Sequence, residues 1–367
     1  MPYQNSKLMK NILADLPFLF SFFLLGAIAT AQSPRLPLGV VTHAQKLSTC
    51  PQGYYPGATC YQATVTCPNT ADISATYGYT NPSGIQRGTI LLFGGGGGTQ
   101  PQPGNPGTAN FVTNYLQAGY QAVQTAWATN WEDTGLAGAK SIKTAACRAA
   151  TLLNYVYQTV YDRNGGMCAQ GVSAGSGELA YALAWYGASD YLDKVELLSG
   201  PVFGDVEQGC MEPDTSPVTV CPSGQFGCVG AAWQDPPQYV GGSEYAVGNW
   251  SGHKCQPLSK TTAEQSNASW KSMSVVDGTT GSSFSYPKTA MAGWLCSNGL
   301  NNSAAQGAYF YQKFANHSQV ADYSVTRIDN CAGAEGVSTG TTPQGKRGLD
   351  AITADMTSAV AGCIKRH

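Results

Sequence analysis

Charged side chains are scarce in this sequence: 20 lysines and arginines and 22 aspartates and glutamates make up 11% of its 367 residues. A net charge of −2 provides no basic face for nucleic acid and no acidic tail, so we expect no nucleic-acid partner. Histidine is rarer still, with four in the chain and none paired at metal-ligand spacing. No C-x-x-C pattern occurs either. We therefore expect no metal site and no cofactor.

The sequence contains one long apolar run, which lies near the N-terminus. Two lysines precede an apolar run over residues 18–28, and residues 29–31 form an A-x-A cleavage pattern. The run is too short for a membrane-spanning helix, which needs about 20 apolar residues. The pattern predicts a secretory signal peptide over residues 1–31 and an exported mature part, residues 32–367, without a membrane span.

Cysteine is abundant, with 12 in the chain, all in the predicted mature part. An even number spread through an exported chain favours disulfides, up to about six of them. Cys147 and Cys168 lie on consecutive predicted elements, so a disulfide between them is expected. The alternation of strands and helices stops between about residues 204 and 286, a stretch that holds four of the cysteines. We predict an inserted, disulfide-tied cap there.

Elsewhere the mature part alternates apolar strand patterns with helical ones, which favours an α/β fold: a mostly parallel central sheet with helices on both faces. Residues 33–41 are interpreted as a tether. The predicted strands cover residues 63–65, 88–93, 122–126, 166–170, 193–198, 289–295 and 323–328. The predicted helices cover residues 110–118, 137–161, a stretch through residues 178–183 that runs to about residue 186, 304–314 and 349–361.

The strand at residues 88–93 runs directly into five glycines, residues 94–98. Bare backbone N–H groups at such a place can approach a ligand closely, as an oxyanion hole requires. A plain flexible loop and a phosphate cradle for a nucleotide are the alternatives. Against the cradle, no Gly-Lys-Ser/Thr follows, and Thr99 occupies the position where a dinucleotide fingerprint has a further glycine. We favour the oxyanion hole.

Residues 171–175 read Gly-Val-Ser-Ala-Gly, between a predicted buried strand and a predicted amphipathic helix. A G-x-S-x-G turn in this setting strains the backbone so that the serine hydroxyl stands clear of the sheet. Ser173 is therefore the candidate nucleophile. A second match at residues 336–340 is followed by threonines, proline and glycine, which indicate a loop. Ser338 is predicted to be a loop residue without a catalytic role.

Four features follow one another in an order that resembles the α/β-hydrolase family. They are the glycine-rich loop, the turn at residues 171–175 (the elbow), the cap and a terminal strand-loop-helix. More narrowly, residues 180–187 with residues 199–201 resemble secreted, cysteine-containing bacterial hydrolases of that family. The resemblance implies an α/β-hydrolase fold and serine esterase-like action on a small-molecule or polymer ester. It also implies that Ser173 is the nucleophile and that backbone N–H groups hold the oxyanion, those of Ala174 and of Gly95 or Gly96.

The other two members of a catalytic triad are missing from their usual places. In that family an acid and then a histidine follow the serine, after the last two strands. Here the loop at residues 296–302 contains no carboxylate, and the loop at 329–337 contains no histidine. Glu335 occupies about the position of the family's histidine. His253 in the predicted cap and Asp205 after the 193–198 strand are the candidate base and acid, with an exposed loop histidine and a turn aspartate as the alternative interpretations.

His317 is expected at the face opposite Ser173, and His367 is expected away from the site because the closing helix carries it there. His43 lies in an N-terminal segment whose place is not predicted. A serine hydroxyl is a poor nucleophile unless a base takes its proton. The sequence thus leaves two functions open: a secreted serine hydrolase of carboxylic esters, or a catalytically impaired hydrolase fold that acts as a binding module. The oligomeric state does not follow from these residues.

Overall fold

The computed structural model of this chain describes part of it in detail, and all described residues belong to one compact unit, residues 33–367. They are residues 35–102, 111–133, 142–200, 202, 206, 218–219, 228–229, 234–235, 273–276, 284–297, 310–311, 320–332 and 336–367.

Twelve strands and five α-helices are formed by these residues. The strands are β1 (Val40–Lys46), β2 (Thr59–Thr66), β3 (Ile73–Thr80), β4 (Gly88–Phe93), β5 (Tyr120–Trp127), β6 (Gly166–Val172), β7 (Lys194–Leu198), β8 (Val218–Thr219), β9 (Cys228–Val229), β10 (Gln234–Asp235), β11 (Tyr286–Cys296) and β12 (Val320–Ile328). The helices are α1 (Phe111–Gln117), α2 (Ile142–Ala145), α3 (Cys147–Thr159), α4 (Ala174–Tyr186) and α5 (Gly348–Thr357). None of the described helices is both long and apolar enough to cross a membrane.

Ten strands form a single sheet in the order β1-β2-β3-β5-β4-β6-β7-β11-β12-β9, while β8 and β10 pair separately. In this order, the neighbouring strands among β1, β2, β3 and β5 pair antiparallel. All later neighbours in the order, from β5-β4 to β12-β9, pair parallel. Because parallel strands end at the same edge, Phe93 at the end of β4 pairs with Gly171 near the end of β6. This carboxyl edge is where α/β sheets place their ligands.

Helices cover both faces of the sheet. A strand such as β4, which is apolar on both sides, needs this cover to keep its side chains from water. Leu91, Met167 and Val195 pack on one face against α3 and α4. Ile90 and Cys168 pack on the other face against α1 and α5. All six residues of β4 are buried, which confirms the prediction of a strand enclosed on both sides.

The sequence-based boundaries agree with β4 at both ends and with α4 at its end, and they approximate β5, β7, β11 and β12; α4 begins at Ala174, inside the predicted turn. Five strands were not predicted. They are β3, the two-residue strands β8, β9 and β10, and β1, which begins inside the predicted tether and is largely exposed. The prediction that α4 is amphipathic is wrong, because all 13 of its residues are buried. The long helix over 137–161 is interrupted at Ala146, and the helix over 304–314 lies mainly outside the described residues.

The predicted Cys147–Cys168 disulfide is wrong. Cys147 pairs with Cys67, and Cys168 pairs with Cys363; Cys50–Cys60 and Cys296–Cys331 are also formed. The error has a physical reason: Cys147 on α3 belongs to one face of the sheet and Cys168 to the other, so the sheet separates them. Four disulfides are consistent with a protein of an oxidising, extracytoplasmic compartment.

The segment around Cys363 is fastened to the amino end of the central strands. The Asp193 carboxylate, just before β7, accepts hydrogen bonds from the backbone N–H groups of Met167 and Arg366. The Lys194 ammonium forms an ion pair with Asp355, 2.8 Å away, and donates to the Ala361 carbonyl. With the Cys168–Cys363 bond, these contacts hold the last residues of the sequence against β6 and β7.

Most of the predicted cap, residues 204–286, lies outside the described residues. Within that stretch β9 extends the central sheet by pairing with β12, and β8 and β10 form a short antiparallel pair. That the stretch is an inserted cap stays a prediction.

Candidate active site

Ser173 occupies the turn between β6 and α4 in a strained backbone conformation. Its φ of 51° and ψ of −124° lie in a region that residues other than glycine rarely adopt. Its backbone N–H donates to the Leu198 carbonyl at 2.8 Å, which fixes the turn to the end of β7. The side chain is 7% exposed. The turn therefore holds the serine at the carboxyl edge of the sheet with little freedom.

Close packing explains the glycines of the elbow. A Cβ atom at Gly171 would lie 2.3 Å from the Gly175 carbonyl oxygen, and one at Gly175 would lie 2.6 Å from the Phe93 carbonyl oxygen. Gly200 is under the same constraint, since its Cβ would be 2.4 Å from the Ser173 carbonyl oxygen. These separations are too short for any side chain, so strand, elbow and helix meet only if all three positions are glycine.

The glycine loop lies directly beside the elbow. The position of a Gly175 Cβ would be 3.0 Å from the Gly94 carbonyl oxygen, so the two segments are in contact. Two other carbonyls of the loop, those of Gly97 and Gly98, accept from the backbone N–H groups of Trp131 and Trp127, at 3.0 and 2.8 Å. The structure thus brings the predicted loop and the predicted elbow together at one edge.

Three backbone donors are candidates for holding an oxyanion. The N–H groups of Gly95 and Gly96 donate to no acceptor in the described part of the chain, and Gly96 is exposed with a φ of +58°. Ala174 begins α4, so its N–H has no intrahelical acceptor. Free N–H groups and the positive end of a helix dipole at one place favour a developing negative charge.

A carboxyl group that sequence analysis did not select lies beneath the glycine loop. Glu178 is fully buried, and the Trp127 indole N–H is 3.3 Å from its Oε2 atom. A Cβ at Gly98 would be 3.2 Å from its Oε1 atom. Burial raises the pKa of Glu178 well above its usual range, and the charge of Glu132 raises it further, against the hydrogen bond from Trp127. The signal available in the sequence was a single charged residue in a helix that is otherwise uncharged and mainly apolar.

We expect Glu178→Gln to make stability less dependent on pH. A carboxyl whose pKa is raised in the folded state favours folding below its unfolded pKa, about 4.3, and this contribution is lost as pH rises towards the folded pKa. The wild type should therefore lose stability on going from pH 5 to pH 8, and the glutamine variant should lose less. Urea unfolding at both pH values measures this.

Glu196→Gln provides a matched comparison, since burial also raises the pKa of Glu196, on the opposite face of the sheet. Each variant should reduce the dependence of the free energy of unfolding on pH by the contribution of its own carboxyl. The two reductions should add, because the groups lie on opposite faces of the sheet. An unchanged slope in Glu178→Gln would mean that its carboxyl has the same pKa in both states.

The candidate acid and bases, Asp205, His253 and Glu335, lie outside the described residues. His43 is exposed on β1, at the far edge of the sheet. His367 contacts the Leu192 carbonyl at 3.2 Å, before the start of β7, which confirms that it lies at the end opposite Ser173. Ser338 lies in a turn, as predicted.

One further carboxylate ends the last strand at the same edge as Ser173. Asp329 follows β12 and accepts from the Arg327 guanidinium at 2.6 Å. Partial burial raises its pKa, but hydrogen bonds from Ser297 and Arg327 and the charge of Arg327 lower it overall. Asp329 is thereby held as an anion. No group of three His, Cys, Asp or Glu side chains within the described ranges is arranged to hold a metal ion.

A mainly parallel sheet with helices on both faces and a strained serine between a strand and a helix defines the α/β-hydrolase fold. No protein-family model matches the chain, and no curated protein matches it in sequence.

The likeness to solved structures is at the level of the fold. An acetyl xylan esterase from Thermoanaerobacterium sp. JW/SL YS485 is 14% identical, with 86% of each chain covered and a TM-score of 0.50. Brefeldin A esterase, a bacterial homologue of human hormone-sensitive lipase, is 14% identical over 86% of this chain and 79% of its own, with a TM-score of 0.47. An esterase from Pyrobaculum calidifontis is 14% identical over 83% and 86%, with a TM-score of 0.44.

Proposed function

We propose that this chain is a secreted serine hydrolase of carboxylic esters, with Ser173 as its nucleophile. The observation that carries the proposal is the juxtaposition of a strained serine with a glycine loop whose N–H groups are available. Export is supported by the leader pattern of residues 1–31 and by the disulfides. The predicted cap, residues 204–286, would shape the pocket for the acyl or alcohol part of the substrate.

In the proposed reaction the Ser173 hydroxyl attacks the ester carbonyl, and its proton passes to a base. The N–H groups of Ala174 and of Gly95 or Gly96 stabilise the tetrahedral oxyanion. The alcohol leaves with the proton, and water then hydrolyses the acyl-serine to release the carboxylic acid and restore the hydroxyl. His253 or Glu335 would act as the base and Asp205 as the acid that orients it.

A catalytically impaired protein that binds esters without cleaving them is the second candidate. It is favoured by the positions of His43 and His367, the two described histidines, both away from Ser173. Without a base, the oxyanion hole and binding together supply only about 10³- to 10⁴-fold catalysis over water.

Labelling with a fluorophosphonate separates the two candidates, because this reagent modifies a serine only when its hydroxyl is activated. We expect one adduct by intact mass, located on Ser173 by peptide mapping, together with turnover of short p-nitrophenyl esters. Ser338, in the same five-residue pattern but in a turn, serves as the internal control and should remain unmodified. An unchanged mass and no turnover would leave only the binding function.

A further inference from the structure

A cavity of about 390 Å³ opens beside the residues that follow the glycine loop. One wall is formed by residues 51–54, from the loop closed by the Cys50–Cys60 disulfide, and the other by residues 99–101, which follow the glycines. Ala126 and Trp127 at the end of β5 form its floor. Its volume falls within the range of pockets that hold small ligands.

The cavity and the candidate nucleophile open at the same edge of the sheet. β5 and β6 are separated by β4 alone, so two strand spacings, about 10 Å, lie between them. Trp127 connects the two places, since its backbone N–H donates to Gly98 and its indole N–H to Glu178 on α4. A substrate held in the cavity could therefore extend along this edge to Ser173.

A single buried side chain holds both walls in place. The Gln124 amide oxygen accepts from the backbone N–H of Tyr55 at 2.7 Å, and its nitrogen donates to the carbonyls of Gly53 and Gln102. Gln124 is 1% exposed. A cavity whose walls are fixed in advance loses little conformational entropy on binding, which is the property of a built site.

Among the described residues, the lining contains no charged side chain, and it also lacks leucine, isoleucine, valine, methionine and phenylalanine. The absence of charge among these lining residues disfavours a phosphate, a carboxylate or an ammonium group as ligand. The absence of large aliphatic groups disfavours a fatty acyl chain, whose binding depends on apolar contact. The remaining ligand class is neutral and rich in hydrogen-bonding groups.

The polar side chains of the lining are available for such a ligand. Gln52, Thr99 and Gln100 are exposed, and their side chains make no hydrogen bond to other described residues. Each amide offers two donors and one acceptor side, which matches neighbouring hydroxyl groups. Directly after the lining residue Pro101, the amide of Gln102 is 2% exposed and also lacks a partner in the described part of the chain.

Two aromatic rings supply the apolar part. The Tyr54 hydroxyl already donates to the Thr76 carbonyl at 2.8 Å, and the Trp127 indole N–H is directed to Glu178. What these residues contribute to the lining is therefore their C–H and π surface. Sugars combine C–H faces with rims of hydroxyl groups, and a lining of rings and amides complements both.

We propose that this cavity binds a neutral oligosaccharide segment, and hence that the ester cleaved at Ser173 is an acyl group on a sugar chain. The first part stands on the cavity alone, while the second rests on the proposed function. The two parts are tested separately.

Binding is measured with neutral hexasaccharides of β-1,4-linked xylose, glucose and mannose, none of them acylated, by calorimetry on the purified protein. We expect at least one to bind, and Gln52→Ala and Gln100→Ala each to weaken it about tenfold, which corresponds to about 1.4 kcal/mol. Ala128→Trp, which fills the cavity from an exposed position, should abolish binding. Gln45→Ala, an equivalent change on exposed β1, should not alter the affinity.

Failure to bind any of the three sugars at millimolar concentration would overturn the proposal, as would equal affinity in the cavity variants and the wild type. Preferential binding of a fatty acid or a peptide would assign the cavity to another ligand class. Circular dichroism establishes that each variant is folded. Because these sugars carry no ester, the result is independent of whether Ser173 reacts with a fluorophosphonate.

The substrate part is tested with an acetylated form of the hexasaccharide that binds. Gln52→Ala should raise KM about tenfold with little change in kcat, because the cavity lies away from the reacting atoms. An unchanged KM in Gln52→Ala, with wild-type activity present, would remove the link between cavity and substrate.

Discussion

Ser173→Ala should lower kcat for p-nitrophenyl acetate by about 10⁶-fold if a base activates the serine, the loss seen when the nucleophile of a complete triad is removed. A serine without its base contributes far less, so the same substitution should then cost about tenfold or less. The size of the loss thus reports whether a base exists. Steady-state kinetics of the wild type and of Ser173→Ala, with titration of the active sites, measure the ratio of the two kcat values.

The matched control is Ser338→Ala, which removes a hydroxyl from the second Gly-x-Ser-x-Gly sequence of the chain. Ser338 is buried in a turn, so this change should leave kcat within about twofold of the wild type. Equal losses in the two variants would contradict the assignment of Ser173. If the loss is confined to Ser173, His253→Ala and Glu335→Gln identify the base, with His43→Ala on β1 as the control histidine.

Removing the Cys168–Cys363 disulfide should destabilise the protein more than removing Cys50–Cys60. In the chain-entropy description, a bond that closes a longer loop restricts the unfolded chain more. The two bonds span 195 and 10 residues. This predicts a loss of about 5 kcal/mol for the double alanine variant of the first and about 3 kcal/mol for that of the second.

Urea unfolding of both variants under non-reducing conditions tests this. The difference should appear as a lower midpoint, with a steeper dependence on urea in the Cys168→Ala/Cys363→Ala variant, because its unfolded chain is less compact. The contacts of Asp193 and Lys194 with the last residues should keep the Cys168→Ala/Cys363→Ala variant folded in the absence of urea. Equal midpoints would show that these contacts, rather than the covalent bond, restrain the segment.

Features that depend on local pattern could be predicted from the sequence. β4 is a continuous apolar run stopped by glycines, and the elbow is marked by two glycines that the packing makes obligatory. β1 carries no such signal because it is an exposed edge strand without alternation. β3 does alternate between buried and half-buried positions, so its pattern was present in the sequence and was overlooked.

Features set by tertiary structure could not be predicted. Cys147 and Cys168 are close in sequence but belong to opposite faces of the sheet, and nothing in their spacing reveals this. Glu178 acquires its raised pKa from burial and from the charge of Glu132, and both arise only on folding. The cavity likewise combines residues 51–54 with residues 99–101, whose association depends on Gln124 in β5.

The bond between Cys168 and Cys363 also determines when the protein can finish folding. During synthesis β4, β5 and β6 emerge well before the partner of Cys168, which lies 195 residues further along the chain. Until then the amino ends of β6 and β7 lack the side chains and backbone groups that later cover them. In the proposed exported protein, the disulfide can therefore lock the central sheet only after the 195 residues that follow Cys168 have also reached the oxidising side.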